Sequence, residues 1–243
     1  MRELLIIIPA YNEAENIVRV VENLIKNYPQ YDYVVVNDGS ADRTAAICRE
    51  HNFNLLDLPI NLGLAGALQT GMKYAYRMGY QYVIQYDGDG QHRAEYIGEL
   101  LKTAREGYDV VIGSRFVTEK KPFTARMMGS RLISGLMRLT SGARIKDSTS
   151  GMRMFGPRMI RMLALNMNYG PEPDTISYLV KCGARVKEMQ VEMDERIAGE
   201  SYLNFVRSFK YMIQMVISIV FVQAFRKKDL DFGLPDSRTG MEK

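Results

Sequence analysis

The sequence predicts an α/β fold, a mostly parallel, Rossmann-like central sheet flanked by helices. One observation is the alternation of short β-branched runs with helical periodicity through the first half of the chain, an order that implies parallel strands joined by right-handed crossovers. A second is that several of these strands end in acidic or polar residues, at the sheet edge where open α/β folds bind ligands. The third is bulk composition: 243 residues, 47% hydrophobic and 25% charged, enough to bury a full core and unlike a disordered or fibrous chain.

The apolar run Leu4–Ile8 reads as the first strand; the opening Met1–Pro9 is too short and too acidic for a signal peptide. Further strands are expected at Tyr33–Val36, Asn54–Leu58, Tyr82–Tyr86 and Val110–Gly113, each a short apolar run with β-branched or aromatic residues. Between them, apolar residues at helical spacing predict helices over Ala14–Lys26, Thr44–His51, Leu64–Met78 and Glu95–Glu106, with Ser40 and Asp42 as start signals ahead of the second. A Met- and Arg-rich helix follows at Thr124–Leu139, and a late strand at Val186–Val191. No repeat or low-complexity tract interrupts the pattern. The expected organisation is one domain over residues 1–200, followed by a C-terminal amphipathic helical segment and tail over 201–243.

Asp87-Gly88-Asp89-Gly90-Gln91-His92 directly follows the fourth strand. Two carboxylates one residue apart at a strand end supply hard oxygen ligands, which suit Mg²⁺ or Mn²⁺ and, through the metal, a diphosphate. An Asp-Gly turn needs no metal, so this motif alone leaves both readings open. Pro9 and Tyr11 stand where a dinucleotide enzyme carries its glycine fingerprint, and no Gly-x-x-x-x-Gly-Lys-Ser/Thr run exists. Phosphates cannot be cradled there by a glycine loop, which makes a metal on the acidic motif the natural neutraliser. Asp38, ending the second strand, can accept a hydrogen bond from a pyrimidine imide or from guanine; Asp42 reads as a helix cap.

The net charge is +4 and the pI about 8.9, a mild excess that gives no reason to invoke nucleic acid. Cys48 and Cys182 lie far apart with no Cys-x-x-Cys spacing, which excludes a disulfide framework or a cysteine zinc site and fits a reducing cytosol. His51 and His92 are isolated and receive no catalytic or ligand role; packing beside the metal is the one place open to His92. The uncharged run from Tyr211 to Phe225, followed by Arg226-Lys227-Lys228, is shorter than the ~20 residues of a spanning helix. It reads either as an interfacial or partner-packed helix or as a core helix.

Ile8-Pro9-Ala10-Tyr11-Asn12-Glu13, Asn37-Asp38-Gly39-Ser40, Asn61-Leu62-Gly63, Asp87-Gly88-Asp89 with Gln91, and Gly113-Ser114-Arg115 occur in that order. Their succession resembles the family 2 inverting glycosyltransferases of the GT-A fold. Asp147-Ser148-Thr149-Ser150-Gly151-Met152-Arg153 and Arg196-Ile197-Ala198-Gly199-Glu200-Ser201 resemble its polyprenyl-phosphate branch, similar to dolichol-phosphate mannosyltransferase. The likeness runs from residue 4 to about the helix after Ser201.

The resemblance implies a glycosyltransferase moving a sugar from a nucleotide sugar to a polyprenyl phosphate, with Mg²⁺ or Mn²⁺. It assigns donor binding to Pro9, Tyr11, Glu13, Asp38 and Asp87, with Arg196 and Ser201 on a loop over the donor pyrophosphate. The metal falls to Asp87, Asp89 and Gln91. The acceptor phosphate falls to Arg115, Arg126, Ser130 and Arg131, since guanidinium forks suit phosphate oxygens; a solvated helix face is the bland alternative for the helix arginines. Asp89, Arg115 and Asp174 are the expected catalytic residues. For Asp174 the role depends on the acceptor: a base toward a saccharide hydroxyl, a sugar-orienting or helix-capping residue toward an anionic phosphate. Two departures, Leu64 and Tyr202, remove positive charges that relatives often carry near the donor, which loosens donor identity; a UDP-hexose or UDP-N-acetylhexosamine is favoured, with GDP-mannose second.

A lipid-phosphate acceptor implies a cytoplasmic protein, peripheral at the inner membrane face. Thr124–Leu139 and the apolar segment after Phe205 are the expected docking surfaces, with a small membrane protein or a second copy as further partners. The competing functions are a family 2 transferase extending a cell-surface polysaccharide or glycolipid, with Asp174 as base, a nucleotidyltransferase, which should carry a glycine-rich loop that is missing here, and a non-catalytic nucleotide-sugar binding or scaffold protein.

Overall fold

The computed structural model describes residues 2–119, 125–165, 172–194 and 212–222. In chain order the strands are β1 (Arg2–Ala10), β2 (Asp32–Asn37), β3 (Leu55–Asp57), β4 (Tyr80–Gln85), β5 (Val110–Ser114), β6 (Arg153–Phe155) and β7 (Val186–Gln190). They form one sheet in the order β3-β2-β1-β4-β6-β5-β7. All neighbours run parallel except at β6, which is antiparallel to both β4 and β5.

The helices are α1 (Ile17–Asn27), α2 (Thr44–Glu50), α3 (Gly63–Met78), α4 (Ile97–Arg105), α5 (Ala125–Ser141), α6 (Pro157–Leu165) and α7 (Pro173–Lys181). They cover both faces of the sheet, so β1 is apolar without alternation from Leu4 to Ala10. Its odd residues Leu5 and Ile7 join a core with α3, α5, α6 and α7 through Met72, Ile133, Met137, Ile160 and Ile176. Its even residues Leu4, Ile6 and Ile8 join a second core with α1 and α4 through Val21, Leu24, Ile97 and Leu100. Each such side chain contributes about 1.5–3 kcal/mol on burial, and this two-sided layering fixes which strand ends meet.

Each expected strand is present, shifted by a residue or two at its ends. The first helix starts at Ile17 rather than Ala14, after an isolated turn in which the N–H groups of Asn16 and Ile17 both donate to the Glu13 carbonyl. The fourth begins as a 3-10 turn, Ala94–Tyr96, before α4. Two elements have no counterpart in the sequence reading, β6 and α6, while α7 was implied only by the helix-capping reading of Asp174. β6 has three residues between Gly151 and the Gly156-Pro157 break, too few to show a period.

Residues 212–217 are helical and continue as a π-helical turn, Ser218–Val222. This segment packs against α5 and α7, with Ile219 inside the first core. No helix among the described residues is long and apolar enough to cross a membrane.

Candidate functional site

The carboxyl ends of β1, β2, β4 and β5 converge on one edge of the sheet. After β1, Asn12 adopts φ 56°, and its side-chain oxygen accepts the Ala41 N–H at 2.9 Å while its own N–H donates to Ser40 Oγ at 2.9 Å. The Glu13 N–H donates to Thr44 Oγ1 and the Ala14 N–H to Asp42 Oδ2. The loops after β1 and β2 are thus stitched together by short polar side chains. Asp42 also accepts the Thr44 N–H at the start of α2; burial alone would raise its pKa, but these bonds hold it below the usual carboxylate value.

Asp38 is buried, 3% exposed, and its Oδ1 accepts the Leu62 N–H at 2.7 Å. Gly39 permits this approach. Its φ is +62°, and a Cβ there would stand 2.5 Å from the Ile60 carbonyl carbon, so neither the backbone conformation nor the space admits a side chain. Pro9 is half-buried and Tyr11 lies 44% exposed beside this loop.

Asp87 and Asp89 follow β4. Gly88 brings this loop against β1, since a Cβ on it would lie 3.2 Å from the Pro9 carbonyl oxygen and 3.7 Å from Glu13 Cγ. Asp87 Oδ1 accepts from Gln85 Nε2 at 3.1 Å, and its N–H donates to His92 Nδ1 at 3.0 Å. His92 Nε2 sits 3.6 Å from Asp87 Oδ2. Below it, the Tyr86 hydroxyl donates to the His92 carbonyl, and burial raises the Tyr86 pKa, which keeps that donor protonated. Asp89 is 8% exposed, with Oδ1 accepting the Gln91 N–H at 3.1 Å. The Gln91 side chain reaches instead to the Asp194 carbonyl.

Arg115 follows β5 and forms a two-pronged pair with Asp147, Nε–Oδ2 at 2.8 Å and Nη2–Oδ1 at 2.9 Å. Its N–H also reaches Asp147. The Asp147 backbone is held in turn by Glu188 of β7, whose carboxylate accepts the N–H groups of Lys146 and Asp147. Burial raises the Asp147 pKa, yet the Arg115 bonds and charge outweigh it and the net direction is down.

Of the acceptor candidates on α5, Ser130 is buried whereas Arg131, its chain neighbour, lies on the exposed face. The Arg126 side chain, and all of Arg196 and Ser201, lie outside the described residues. Asp174 is in the first turn of α7, where Oδ1 accepts the Thr175 N–H and Oδ2 accepts the Ser218 hydroxyl.

Three residues gain a place at the site that their sequence positions did not assign. Gly151 faces Asp87 so closely that a Cβ would overlap Oδ2. His92 braces the acidic loop. Gln85 is 1% exposed with Oε1 unpartnered, and a glutamine inside an apolar strand was the one visible signal for it.

Among the described residues no group of three or more His, Cys, Asp or Glu is arranged to hold a metal. Asp87 and Asp89 supply a two-carboxylate set of hard oxygens, which fits a divalent cation whose remaining positions go to diphosphate oxygens and water. The missing Cβ at Gly151 leaves the space in which Asp87 Oδ2 lies.

Residues 5–166 match the family model described as glycosyl transferase family 2. An undecaprenyl-phosphate mannosyltransferase of Micrococcus luteus is 31% identical over 212 residues, 82% of this chain and 87% of that protein. A polyprenol monophosphomannose synthase of Mycolicibacterium smegmatis is 29% identical over 213 residues, covering 82% and 80%. The fold is shared with glucosyl-3-phosphoglycerate synthase of Mycobacterium tuberculosis, crystallised with Mn²⁺, UDP and phosphoglyceric acid, at TM-score 0.66 and 17% identity over 97% of this chain and 80% of that one. With its sheet order, its strand-end acids and this match over most of its length, the chain belongs to glycosyl transferase family 2 and is a glycosyltransferase of the GT-A fold.

Proposed function

We propose that the protein transfers a sugar from a uridine diphosphate sugar to a polyprenyl phosphate at the cytoplasmic face of a membrane, with inversion at the anomeric carbon. The observation that carries the reading is the meeting, on one sheet edge, of a buried carboxylate (Asp38), the carboxylates of Asp87 and Asp89, and an arginine fixed by a buried acid (Arg115–Asp147). The names of the relatives support a lipid-phosphate acceptor.

Asp38 favours uracil. Its Oδ1 already accepts the Leu62 N–H, so Oδ2 is the less occupied acceptor and suits a single further donor. A uracil imide offers one N–H; guanine offers an N–H and an amino group side by side and would use both carboxylate oxygens. Tyr11 and Pro9 flank the base, and Glu13 lies on the neighbouring turn. Asp87 and Asp89 face the diphosphate, with Gln91 beside them on the same loop; a bound Mg²⁺ or Mn²⁺ would neutralise charge developing on the leaving group. Arg115, with Ser130, Arg126 or Arg131 from α5, orients the acceptor phosphate. An oxygen of that phosphate bonds to the anomeric carbon as the sugar–diphosphate bond breaks, and the electron pair leaves with the nucleoside diphosphate. The nucleophile is already anionic, so no base is required, and positioning supplies much of the rate gain. Asp174, whose two oxygens already accept hydrogen bonds, fits an anchoring role better than proton abstraction from a saccharide.

Thermal-shift titration with UDP, GDP and dTDP sugars plus Mn²⁺ tests the donor, because a ligand of the folded state at ~100 times its Kd adds about 2.7 kcal/mol. Transfer from the stabilising donor to a polyprenyl phosphate, against saccharide acceptors, tests the acceptor. A larger shift with GDP sugars, or transfer to saccharides alone, would overturn the reading.

A further inference from the structure

Arg153 is 0% exposed and is among the largest side chains that the protein buries completely. It sits in β6 opposite Gln85 of β4 and Ile112 of β5, so the three side chains share one face of the sheet. Phe155, two residues on and on that same face, belongs to the first core. An apolar side chain at 153 would extend that core, whereas a guanidinium has to be taken out of water and supplied with acceptors. Core packing does not require an arginine here.

The acceptors come from one turn. Arg153 Nε donates to the Ser150 carbonyl at 2.8 Å and Nη2 to the Ser148 carbonyl at 2.7 Å. Ser148 and Ser150 are themselves buried. Both ends of the turn touch the site. Asp147 grips Arg115 through both its oxygens, and Gly151 leaves the space in which Asp87 Oδ2 lies. The strand register agrees: continued by two residues toward the carboxyl edge, the rung Gln85–Arg153–Ile112 becomes Asp87, Gly151 and Ser114. Arg153 thus lies one rung, about 7 Å, beneath the point where the acidic motif, the turn and the strand leading to Arg115 meet.

We propose that Arg153 is a positioning residue for the transfer: its guanidinium, fixed under the turn 147–151, sets the spacing between Arg115 on the acceptor side and Asp87 on the metal side. It touches neither substrate nor cation. The planar fork is what the turn needs, because a single ammonium cannot reach both carbonyls with the same fixed geometry. The acceptor half of the assignment rests on the reading of a lipid-phosphate acceptor; the metal half rests on Asp87 alone.

The test compares the full-length wild type with Arg153→Lys, which keeps the charge and loses the fork, and with Leu24→Ala, a core substitution in α1. Each is titrated with Mn²⁺ in the presence of whichever nucleoside diphosphate raises the wild-type melting temperature most, and free Mn²⁺ is read by electron paramagnetic resonance. Arg153→Lys should weaken Mn²⁺ binding at least about tenfold, the scale on which supports of metal ligands act, and should raise the KM for a short-chain prenyl phosphate. Leu24→Ala should lower the melting temperature and leave both constants at wild-type values. In wild type, hydrogen exchange over the turn 147–151 should be slowed to the same order as in β5, a readout that stands even where the lysine variant does not fold. Wild-type Mn²⁺ affinity and KM in Arg153→Lys, equal changes in Leu24→Ala, or a turn that exchanges far faster than β5 would each overturn the assignment. A wild type that binds Mn²⁺ and nucleotide yet transfers to no prenyl phosphate would sink the acceptor reading instead, while weakened Mn²⁺ binding in Arg153→Lys alone would still uphold the metal half.

Discussion

Gly151 stands against Asp87 with no room for a side chain: a Cβ would overlap Asp87 Oδ2, well inside the 3.0 Å that real Cβ contacts respect. Asp87 cannot simply swing aside, since Gln85 Nε2 holds Oδ1 and His92 receives its N–H. The loop between α5 and β6 therefore shapes the acidic motif that follows β4.

Gly151→Ala should displace the Asp87 carboxylate and lower transfer at least about tenfold, a loss of roughly 1.4 kcal/mol in transition-state stabilisation. The melting temperature should fall by only a few degrees. Steady-state turnover across a Mn²⁺ titration checks this, with the loss expected as a higher metal requirement. Wild-type turnover in the variant would show that the contact has no role.

Asp89→Ala should abolish measurable transfer while leaving the melting temperature nearly unchanged, because the Gln91 N–H that Asp89 Oδ1 accepts belongs to the same short loop after β4. A cation that stabilises the leaving diphosphate contributes several kcal/mol to the transition state. Turnover by the variant in the presence of a chelator would remove the metal from the mechanism.

Asp147→Asn breaks a buried carboxylate's pair with Arg115. Full loss of one partner of a buried pair costs about 3–5 kcal/mol; the Arg115 side chain is 30% exposed and rehydrates in part, so about 1–3 kcal/mol is expected at neutral pH. The pH dependence has a definite sign. The folded pKa of Asp147 lies below its ordinary value of 3.8, so its stabilising contribution is complete above that value and disappears as pH falls through the lower, folded value. Denaturation midpoints of wild type and variant should converge in acid. A difference independent of pH would show that the effect is packing, not charge.

Asp174→Asn separates the two acceptor chemistries. With a polyprenyl phosphate, transfer should stay within about fivefold of wild type, since a general base normally contributes 10²–10⁴-fold and none is needed here. Stability should drop modestly as the Ser218 bond weakens. A loss of a hundredfold or more with the melting temperature unchanged would restore Asp174 as a base.

Much of the fold was legible because its signals are local. β1 to β5 and β7 are short apolar runs, α1 to α4 carry helical periodicity, and the site motifs sit where those strands end. Asp38, Asp87 and Asp89 could be named because a strand end in an open parallel sheet is a ligand edge whatever the loops do; Arg115 was named only by the family resemblance. β6 could not be found that way: Arg153-Met154-Phe155 is too short for a period, and its antiparallel place between β4 and β5 depends on partners far away in the chain.

What the sequence determined by itself was the layering, the strand-end chemistry and the kind of enzyme, because burial periodicity and motif order are written in neighbouring residues. What only the tertiary structure decided was who holds whom: Arg115 on Asp147, Gly151 against Asp87, Ser218 on Asp174. These pairs lie tens of residues apart, and two side chains so separated meet only when the packing of both sheet faces has fixed the loops that carry them.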